Sequence, residues 1–440
     1  MIQVIFSKDM SSAYPAVMLQ KKFPMSRFVN SKISSESELK AAINKGEYAY
    51  LISCEIKNIN IKTECTIPYI AFAKLIPTQS KNIRKDNGRV LSADAIGMVI
   101  TDIDYRIISQ QYDYKEEDFH IDAIYRAKYD YLPNEFRQYI FDRYIRKCDL
   151  KPDESGIWEH GDKYLYSKEK NKINANFGMT LTDIIHDEIL YEPDNPDKRG
   201  NPFKKVKQEK DVALRKHYKS RSTFLVYQWG IWVTAWCRYR LQQAIVGVGY
   251  DAIYCDTDSV KYFGFLKPDG TPLDVHADVF ERLNNEILEE TAACGFDTEY
   301  TRPDGKHFSL GLWEDDEHTP YKQFVTMGSK KYGYVDSESE FHITVAGLSK
   351  EKGANYLTKH EGGIEGFHKG TRVPPGESGR TAAHYQDLKT PTAIKIFDPQ
   401  QKRWVNIVTG SSVAIKNVPY KFGITGEYEE LLEELDKPIL

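Results

Sequence analysis

The chain has 440 residues, of which 41% are hydrophobic and 28% are charged, and its formal net charge is −4. These values are typical of a globular protein with roughly two to four domains or subdomains, and the weak negative charge argues against a uniformly basic DNA-coating protein. No apolar run approaches a membrane span, the N-terminus does not resemble a signal peptide, and the six cysteines stand singly. We therefore expect a cytoplasmic protein with no membrane partner, disulfide framework or zinc ribbon.

The first predicted element is a strand over residues 2–9, which ends on Asp9. A helix follows it, with Ser12 as the candidate N-cap and Pro15 in the first turn. Asp9 is thereby expected beside a helix N-terminus, whose backbone N–H groups suit a phosphate. A plain turn acid next to a core Tyr14 explains the same residues about equally well.

Residues 31–130 show mixed α/β patterns, with strands predicted over residues 48–59 and 97–103. Residues 80–89 are basic and contain turn-forming residues, which favours a solvated loop. Pairs of acids elsewhere, such as Asp102 with Asp104 and the acids of the run 314–317, are interpreted as turn or surface acids.

Residues 133–147 are predicted to form a helix, because Phe136, Ile140 and Tyr144 recur on one face. Arg146 and Lys147 lie in its last turn. Cations in that position suit the helix dipole without any further function.

A second helix is predicted over residues 164–183. Lys170, Asn174 and Phe177 share one face of it, and Gly178 beside them lets another surface approach closely. A lysine for phosphate and a ring for a base make this face a better floor for a nucleotide than a stripe of core residues.

The segment from Lys198 to Arg221 holds ten Lys or Arg residues and two acids. A solvated basic loop is the common explanation, and contact with a phosphate backbone is the alternative. Long helices are predicted over residues 227–246 and 274–293.

Residues 252–262 predict a β-hairpin whose tip carries Asp256 and Asp258. Divalent metal ions bound through oxygen would neutralise these two like charges, although an exposed acidic turn is the plain alternative. Alternation over residues 321–335 predicts a strand with Lys330 and Tyr332 on one face. The last hundred residues are polar and show few strand patterns.

Four motifs in chain order resemble those of the polymerase half of family B DNA polymerases. Residues 9–15 (DMSSAYP) resemble DxxSLYP, with Ala13 where leucine is usual. Residues 170–178 (KNKINANFG) resemble KxxxNSxYG, with Ala175 for serine and Phe177 for tyrosine. The departures at Ala175 and Phe177 each remove a hydroxyl group, and none of the three removes a charge.

The other two motifs follow later in the chain. Residues 254–259 (YCDTDS) match YxDTDS, and residues 330–332 (KKY) match KxY. The resemblance covers most of residues 1–350. Two long insertions between the motifs are similar to those of protein-primed phage polymerases, in which the first contacts the priming protein and template DNA and the second gives processivity.

The resemblance implies an α+β right-hand polymerase with a palm built on an antiparallel sheet, two-helix fingers and a thumb. The implied parts are palm at 1–30, a first insertion at 31–130, fingers at 131–185, a second insertion at 186–224, palm at 225–350 and thumb at 351–440.

The resemblance also implies two-metal nucleotidyl transfer from dNTPs to a primer 3′-hydroxyl or a protein primer. Asp9, Met10 and Asp258 would hold two Mg²⁺ ions, for which Mn²⁺ can substitute, while Asp256 supports them and Lys170 neutralises the triphosphate. Nucleotide contacts are implied for Ser12, Ala13, Tyr14, Arg146, Lys147, Lys170, Asn174 and Phe177. Primer or DNA contacts are implied for Thr257, Ser259, Lys330 and Tyr332.

The implied partners are primer–template DNA and dNTPs, with a terminal priming protein and a separate exonuclease chain as further candidates. Family B polymerases generally carry an exonuclease domain ahead of the first motif, whereas eight residues precede Asp9 here. We therefore expect this chain to lack 3′–5′ exonuclease activity. An open strand edge near residues 1–8 would suit a docking exonuclease chain, unless the chain is a truncated product of a longer gene.

Two other kinds of function stay open. A reverse transcriptase or RNA polymerase would also use paired acids on a hairpin, although the DTDS tip, Lys170 and Tyr14 argue against both. A catalytically decayed polymerase or an accessory DNA-binding subunit of a split polymerase is the other alternative. The intact carboxylates Asp9, Asp256 and Asp258, together with Lys170, argue against it.

Overall fold

The computed structural model describes residues 1–152, 158, 162–192, 203–220, 225–316, 318–398 and 402–435. Within these ranges the chain mixes helices with sheets, and the paired strands run antiparallel, as the α+β prediction requires. The largest apolar core joins the first strand and helix to the long helices of the chain's middle. A second core lies inside the sheet of residues 31–130, and a smaller one lies near the C-terminal end.

The N-terminal part contains the site's first strand, its first helix and a separate sheet. Its elements are β1 (Ile2–Met10), α1 (Ala13–Gln20), β2 (Lys22–Pro24), β3 (Val29–Asn30), α2 (Glu36–Lys45), β4 (Tyr48–Ile61), β5 (Arg84–Asp86), β6 (Arg89–Thr101), α3 (Asp102–Gln111), β7 (Tyr112–Asp113) and β8 (Phe119–Tyr131). The sheet has the order β2-β8-β4-β6-β5, with β3 beside β8 and β7 beside β4.

Asp102 and Asp104 are buried, so their interpretation as turn or surface acids is wrong. The predicted strand over 97–103 ends at Thr101, whose hydroxyl caps α3 by accepting from the Asp104 N–H. Asp102 accepts hydrogen bonds from the Tyr129 hydroxyl at 2.6 Å and the Trp232 indole at 3.2 Å. These two acids therefore fasten the N-terminal sheet to the helices around it.

The middle of the chain is mostly helical. Its elements are α4 (Asn134–Asp149), α5 (Asp162–Thr180), β9 (Asp187–Tyr191), β10 (Phe203–Lys207), α6 (Lys210–Lys219) and α7 (Tyr227–Val248). A side chain at Gly178 would meet nothing in the described chain, whereas one at Gly230 would collide with Leu181 and Thr180. The close approach that the sequence assigned to Gly178 is thus made at Gly230, where α7 passes the end of α5.

The sheet that carries the hairpin has the order β11-β12-β1-β16, and β13 pairs with β12. Its later elements are β11 (Ala252–Asp256), β12 (Ser259–Leu266), β13 (Pro272–Leu273), α8 (Ala277–Ala293), β14 (Glu299–Thr301), β15 (His307–Ser309) and β16 (Trp313–Asp315). β1 is an inner strand, since β12 covers one edge and β16 and Tyr321 cover the other from Ile5 onward. The expected open edge near residues 1–8 is therefore reduced to Ile2–Val4.

The C-terminal part contradicts the expectation of few strands. Its elements are β17 (Gln323–Thr326), β18 (Lys331–Val335), β19 (Phe341–Val345), α9 (Lys350–His360), β20 (Arg372–Val373), β21 (Thr381–Asp398), β22 (Arg403–Asn417), β23 (Tyr420–Lys421) and α10 (Gly426–Leu435). β21 and β22 form a long two-stranded hairpin. Polar strands of this kind lack the alternation on which sequence prediction depends.

Helix α10 returns to the N-terminal sheet. Lys85 of β5 forms an ion pair with Glu430 at 2.6 Å, and Gly88 lies against Glu427. Among the helices in the described ranges, none combines the length and apolar content needed to cross a membrane.

Candidate active site

Sheet register brings the acids of two distant segments together. Asp9 stands opposite Ser259 on β12 and opposite Glu314 on β16. The Met10 N–H donates to the Asp258 carbonyl at 2.8 Å, which fixes the hairpin tip beside the end of β1. Val4 and Phe6 pack into the main core while Ile5 packs on the other face, so both faces of β1 oppose a slip in this register.

The hairpin tip is a tight turn between β11 and β12, as predicted. Thr257 adopts a left-handed conformation with φ of 55°, and the Asp258 N–H donates to the Asp256 carbonyl at 2.6 Å. Because the chain reverses within two residues, the side chains of Asp256 and Asp258 are held close to each other.

The carboxyl groups of Asp9 and Asp258 both resist ionisation. The pKa of Asp9 is raised to about 7 by the surrounding protein atoms and then by repulsion from Asp258 and Asp316, while Lys261 and Lys170 oppose the change. The pKa of Asp258 is raised by burial and by repulsion from Asp256. The residue Asp9 is itself solvent-exposed in the cleft, so water screens part of this repulsion. The arrangement nevertheless favours any cation that can bind between the two groups.

Asp256 has a different environment from the other two acids. Lys330 holds it through two contacts of 2.7 and 2.8 Å, and the Thr257 hydroxyl donates to it at 2.9 Å. Lys330 is not on the strand face predicted for it, because it lies in the turn before β18 with φ of 55°. Its N–H donates to the Tyr254 hydroxyl at 2.9 Å, which anchors that turn on β11.

Lys261 is a buried cation that the sequence prediction missed. It is 1% exposed, its ammonium donates to the Ser7 hydroxyl at 3.2 Å, and it lies 4.9 Å from the centre of the Tyr332 ring. Burial lowers the pKa of Lys261, although Asp316 and Asp9 oppose this effect. The signal in the sequence that could have identified Lys261 is a lysine placed between the apolar residues of a predicted core strand.

Helices α1, α4 and α5 surround a cleft of about 370 Å³ next to the carboxylates. Its lining includes the following predicted residues: Asp9, Met10, Ser12, Ala13, Tyr14, Lys147, Lys170, Asn174, Phe177 and Asp258. The predicted face of α5 therefore lies along the cleft. Lys151, Tyr166 and Glu314 also line it and were not predicted.

Lys147, Lys151 and Lys170 give the cleft a positive wall. Lys147 donates to the Ser12 hydroxyl at 2.8 Å, so this hydroxyl serves Lys147 and makes no side-chain cap on α1. Burial lowers the pKa of Lys147 to about 8, and repulsion from Lys151 and Lys170 lowers it further, while Cys148 and Glu314 oppose the change. Arg146, one position earlier on α4, is exposed and does not line the cleft.

Tyr14 and Phe177 close one end of the cleft. Their rings stack with centroids 4.3 Å apart and an interplanar angle of 27°. Tyr14 is the second residue of α1, and burial raises the pKa of its hydroxyl to about 12. The stack joins α1 to α5 at the cleft.

The residues predicted to hold a primer lie outside the cleft lining. Tyr332 packs against Tyr254 with ring centroids 5.0 Å apart. Thr257 is exposed at the hairpin tip, and the Ser259 hydroxyl donates to the Asp256 carbonyl at 3.3 Å. Thr257, Ser259 and Lys330 all contact Asp256, so these residues lie beside the carboxylates but outside the cleft lining.

The donor set suits a hard divalent cation. Asp9 and Asp258 offer carboxylate oxygens whose ionised state is unfavourable without a counter-ion. Met10 is 1% exposed and its side chain lies in the core, so its backbone carbonyl is the part that could serve as a ligand. Oxygen donors of this kind fit Mg²⁺ or Mn²⁺ better than metals that prefer nitrogen or sulfur.

No protein-family model and no curated protein matches the sequence. The fold does resemble solved structures of "Phi29 DNA polymerase complexed with primer-template DNA (post-translocation binary complex)", with a TM-score of 0.55 and 15% identity over 96% of this chain and 58% of that one. The ternary complex with primer-template DNA and incoming nucleotide substrates gives a TM-score of 0.54 and 16% identity over the same shares. The chain therefore spans about 58% of the length of the structures it matches and shares their fold.

Proposed function

We propose that the chain is a DNA-directed DNA polymerase that extends a primer 3′-hydroxyl with dNTPs. The observation that carries the proposal is the convergence of Asp9, Lys170, Phe177 and Asp258, from three distant segments, on one cleft with a positive wall. The likeness in fold to Phi29 DNA polymerase, solved with primer-template DNA and with incoming nucleotides, supports it. The four motifs support the assignment to family B.

The parts of a right-hand polymerase are assigned on the same basis. The palm comprises residues 1–30 and 225–350, and the fingers comprise residues 131–185. The insertions comprise residues 31–130 and 186–224, and the thumb comprises residues 351–440. Residues 193–202 and 221–224 of the second insertion lie outside the described part of the chain.

Asp9, Asp258 and the Met10 carbonyl would hold Mg²⁺, or Mn²⁺ in its place. When bound there, the metal would activate the 3′-hydroxyl and stabilise charge on the reacting phosphate. Asp256 holds Lys330 in its turn and acts as a supporting acid. Lys170 and Lys147 neutralise the triphosphate, and catalysis comes chiefly from positioning and charge stabilisation.

The lowered pKa of Lys147 suits this role. With a pKa of about 8 the amine is still mostly charged near neutral pH, and an arriving triphosphate strengthens that charge because an anion nearby favours the ammonium form. Lys151 lines the cleft where Arg146 does not, and it supplies the further positive charge that was predicted for Arg146. Ser12, Ala13 and Asn174 complete the lining around the nucleotide.

The surface formed by Thr257, Ser259, Lys330 and Tyr332 receives the end of the primer. The partners proposed are primer–template DNA and dNTPs. A priming protein that contacts residues 31–130 and a separate exonuclease chain are further proposals, on the resemblance of the insertions to those of protein-primed phage polymerases.

Primer extension with Mg²⁺ and dNTPs tests the proposal. We expect the chain to extend a labelled primer on a DNA template, and we expect Asp258→Asn and Asp9→Asn to lose nearly all extension while still binding DNA. Asp269→Asn, in an exposed turn after β12, is the matched control and should behave as the wild type. Near wild-type extension by either site variant would remove the metal assignment.

The same assay separates the alternatives. A decayed or accessory subunit would bind primer–template without extending it at any metal concentration. A reverse transcriptase would extend a DNA primer on RNA as well as on DNA, and an RNA polymerase would prefer ribonucleotides. Any of these results would replace the function proposed above.

A further inference from the structure

Two histidines and an aspartate meet away from the cleft. His318 lies in the connection between β16 and β17, Asp336 follows β18 and His342 lies on β19. One ligand atom of each lies within 4.8 Å of the others. None of the three lines the cleft, and the proposed function does not use them.

The distances are those of a loosely formed metal site. His342 Nε2 lies 2.7 Å and His318 Nδ1 lies 3.8 Å from the same Asp336 oxygen. Ligand atoms about 2.0–2.1 Å from a tetrahedral Zn²⁺ are separated from one another by about 3.3 Å, a value between those two distances. A small shift of His318 would bring all three atoms into range.

Asp336 is held as an ionised acceptor. It is 4% exposed, and its other oxygen accepts from the Glu338 and Glu340 N–H groups at 2.9 and 2.8 Å. Burial works against ionisation, but hydrogen bonds from His342 and from these backbone groups keep the pKa of Asp336 below its usual value. The backbone thus fixes the carboxylate while leaving one oxygen directed at the histidines.

The two imidazoles can adjust more freely. Their rings are stacked with centroids 4.3 Å apart and an interplanar angle of 24°, so rotation of a ring is needed for both nitrogens to point at one centre. The His318 and His342 side chains are 37% and 24% exposed, which leaves room for that rotation and for a solvent ligand.

We propose that His318, Asp336 and His342 bind a divalent transition metal of the Zn²⁺ class, with water completing the coordination. Two imidazoles and a carboxylate are a donor set that Zn²⁺ and its neighbours accept and that Mg²⁺ does not prefer. This site is distinct in chemistry and position from the oxygen-only set of Asp9 and Asp258.

The position of the site gives the metal a structural role. The His318 connection is fastened to β1, because the Asp316 N–H donates to the Ser7 carbonyl at 2.9 Å and the Ser7 N–H donates to the Thr319 hydroxyl at 3.0 Å. Asp336 and His342 belong to the β18–β19 hairpin, whose preceding turn carries Lys330. A metal here would fasten the strand of Asp9 to the hairpin that follows Lys330.

Co²⁺ titration followed by visible absorption tests the proposal directly, with protein that carries no polyhistidine tag. All variants would be made in an Asp258→Asn background, so that the cleft contributes little to metal uptake. We expect saturable uptake of one equivalent by the parent, and a loss of affinity of about tenfold or more in His318→Gln and His342→Gln. His360→Gln, on α9, is the matched control and should keep the parent affinity.

Thermal melting with and without Zn²⁺ provides a second measurement. Zn²⁺ should raise the Tm of the parent and of His360→Gln but not that of the two site variants. The two site histidines are partly exposed, so their replacement is compatible with folding. No saturable uptake by the parent in the micromolar range, or equal affinity in the parent and both site variants, would overturn the proposal.

Discussion

At the scale of single residues, charge decides what the cleft can hold. Asp9 comes from β1 and Asp258 from the turn between β11 and β12, and the main-chain hydrogen bond between Met10 and Asp258 holds them together. Their repulsion destabilises the fold when no cation is present, which is a common cost of a preorganised site. The consequences can be measured without any assay of activity.

Asp9→Asn should stabilise the metal-free protein at neutral and higher pH. Because the folded-state pKa of Asp9, about 7, lies above its ordinary value of 3.8, the unionised group favours folding at low pH and this advantage is lost as the pH rises through 7. Melting curves in EDTA should therefore show a Tm advantage for the variant that grows by a few degrees between pH 5 and pH 8. Mg²⁺ should reduce that advantage by binding the wild type.

Asp122→Asn is the control for this comparison, since Asp122 is an exposed acid on β8. Its Tm should follow that of the wild type at every pH. A pH-independent difference for Asp9→Asn would mean that the Asp9 carboxyl is not held in its unionised form.

Lys261→Met should move the acid limb of the pH–activity profile to higher pH. The buried ammonium lowers the pKa of Asp9, so its removal leaves that carboxyl harder to ionise. Methionine keeps the length of the side chain without the charge. The rate of single-nucleotide addition measured from pH 5.5 to 9 checks this prediction. Lys267→Met, at an exposed position just after β12, is the control. An acid limb that stays in place or moves downward would contradict the electrostatic role.

Tyr14→Val should relax discrimination between sugars. The Tyr14 ring closes the cleft by stacking on Phe177, and a ring below the sugar leaves no room for a 2′-hydroxyl. The ratio of rNTP to dNTP incorporation should rise by more than about tenfold, a change of more than about 1.4 kcal/mol in relative transition-state binding. Tyr164→Val, an exposed tyrosine of α5, serves as the control. An unchanged ratio would restrict Tyr14 to packing.

At the scale of elements, the hairpin and helix α5 were predictable because short-range patterns specify them. The alternation around Asp256 and Asp258 and the spacing of Lys170, Asn174 and Phe177 gave both the element and the face. Lys330 could not be located in the same way. Its position depends on a left-handed turn tied to Tyr254, which is a contact between distant segments.

The errors have the same physical origin. Asp102 is buried because three partners from other elements satisfy its oxygens, and the sequence gives no local sign of them. The close approach at Gly230 depends on where α7 crosses α5. Local patterns identify secondary structure, whereas burial of polar groups depends on the tertiary neighbours.

Helix α6 provides a test at this scale. Its exposed cations include Arg215 and Lys219, which suit phosphate contacts. Arg215→Gln with Lys219→Gln should shorten the products made in a single binding event and move inhibition to lower salt, without changing single-nucleotide addition. Lys267→Gln, just after β12, with Arg282→Gln on α8 is the charge-matched control. Equal product lengths in the two double variants would make α6 a solvated helix.

At the scale of the whole molecule, charged side chains connect the N-terminal sheet to helix α10. The Lys85–Glu430 pair joins β5 to α10, and Lys369 pairs with the neighbouring Glu429. Exposed pairs of this kind contribute about 0.2–1 kcal/mol each and are screened by salt. The contact between the N-terminal sheet and α10 should therefore open easily.

Charge reversal measures this contact. Lys85→Glu and Glu430→Lys should each increase protease cleavage near α10 by up to about fivefold, and the double reversal should restore the wild-type rate. Salt at about 0.5 M screens exposed charges strongly, so it should reduce the differences in cleavage rate between the variants and the wild type. Additive effects of the two reversals would show that the residues do not interact.

The inner position of β1 has a consequence for synthesis of the protein. Asp9 pairs with Ser259, so the strand must wait for roughly 250 further residues to be made, which takes about 12–50 s at typical translation rates. During that time the apolar residues from Ile2 to Phe6 have neither of their final neighbours, and an unpaired apolar strand is prone to aggregation. Slower elongation lengthens this exposure, and a chaperone that binds short apolar strands should raise the yield of folded protein.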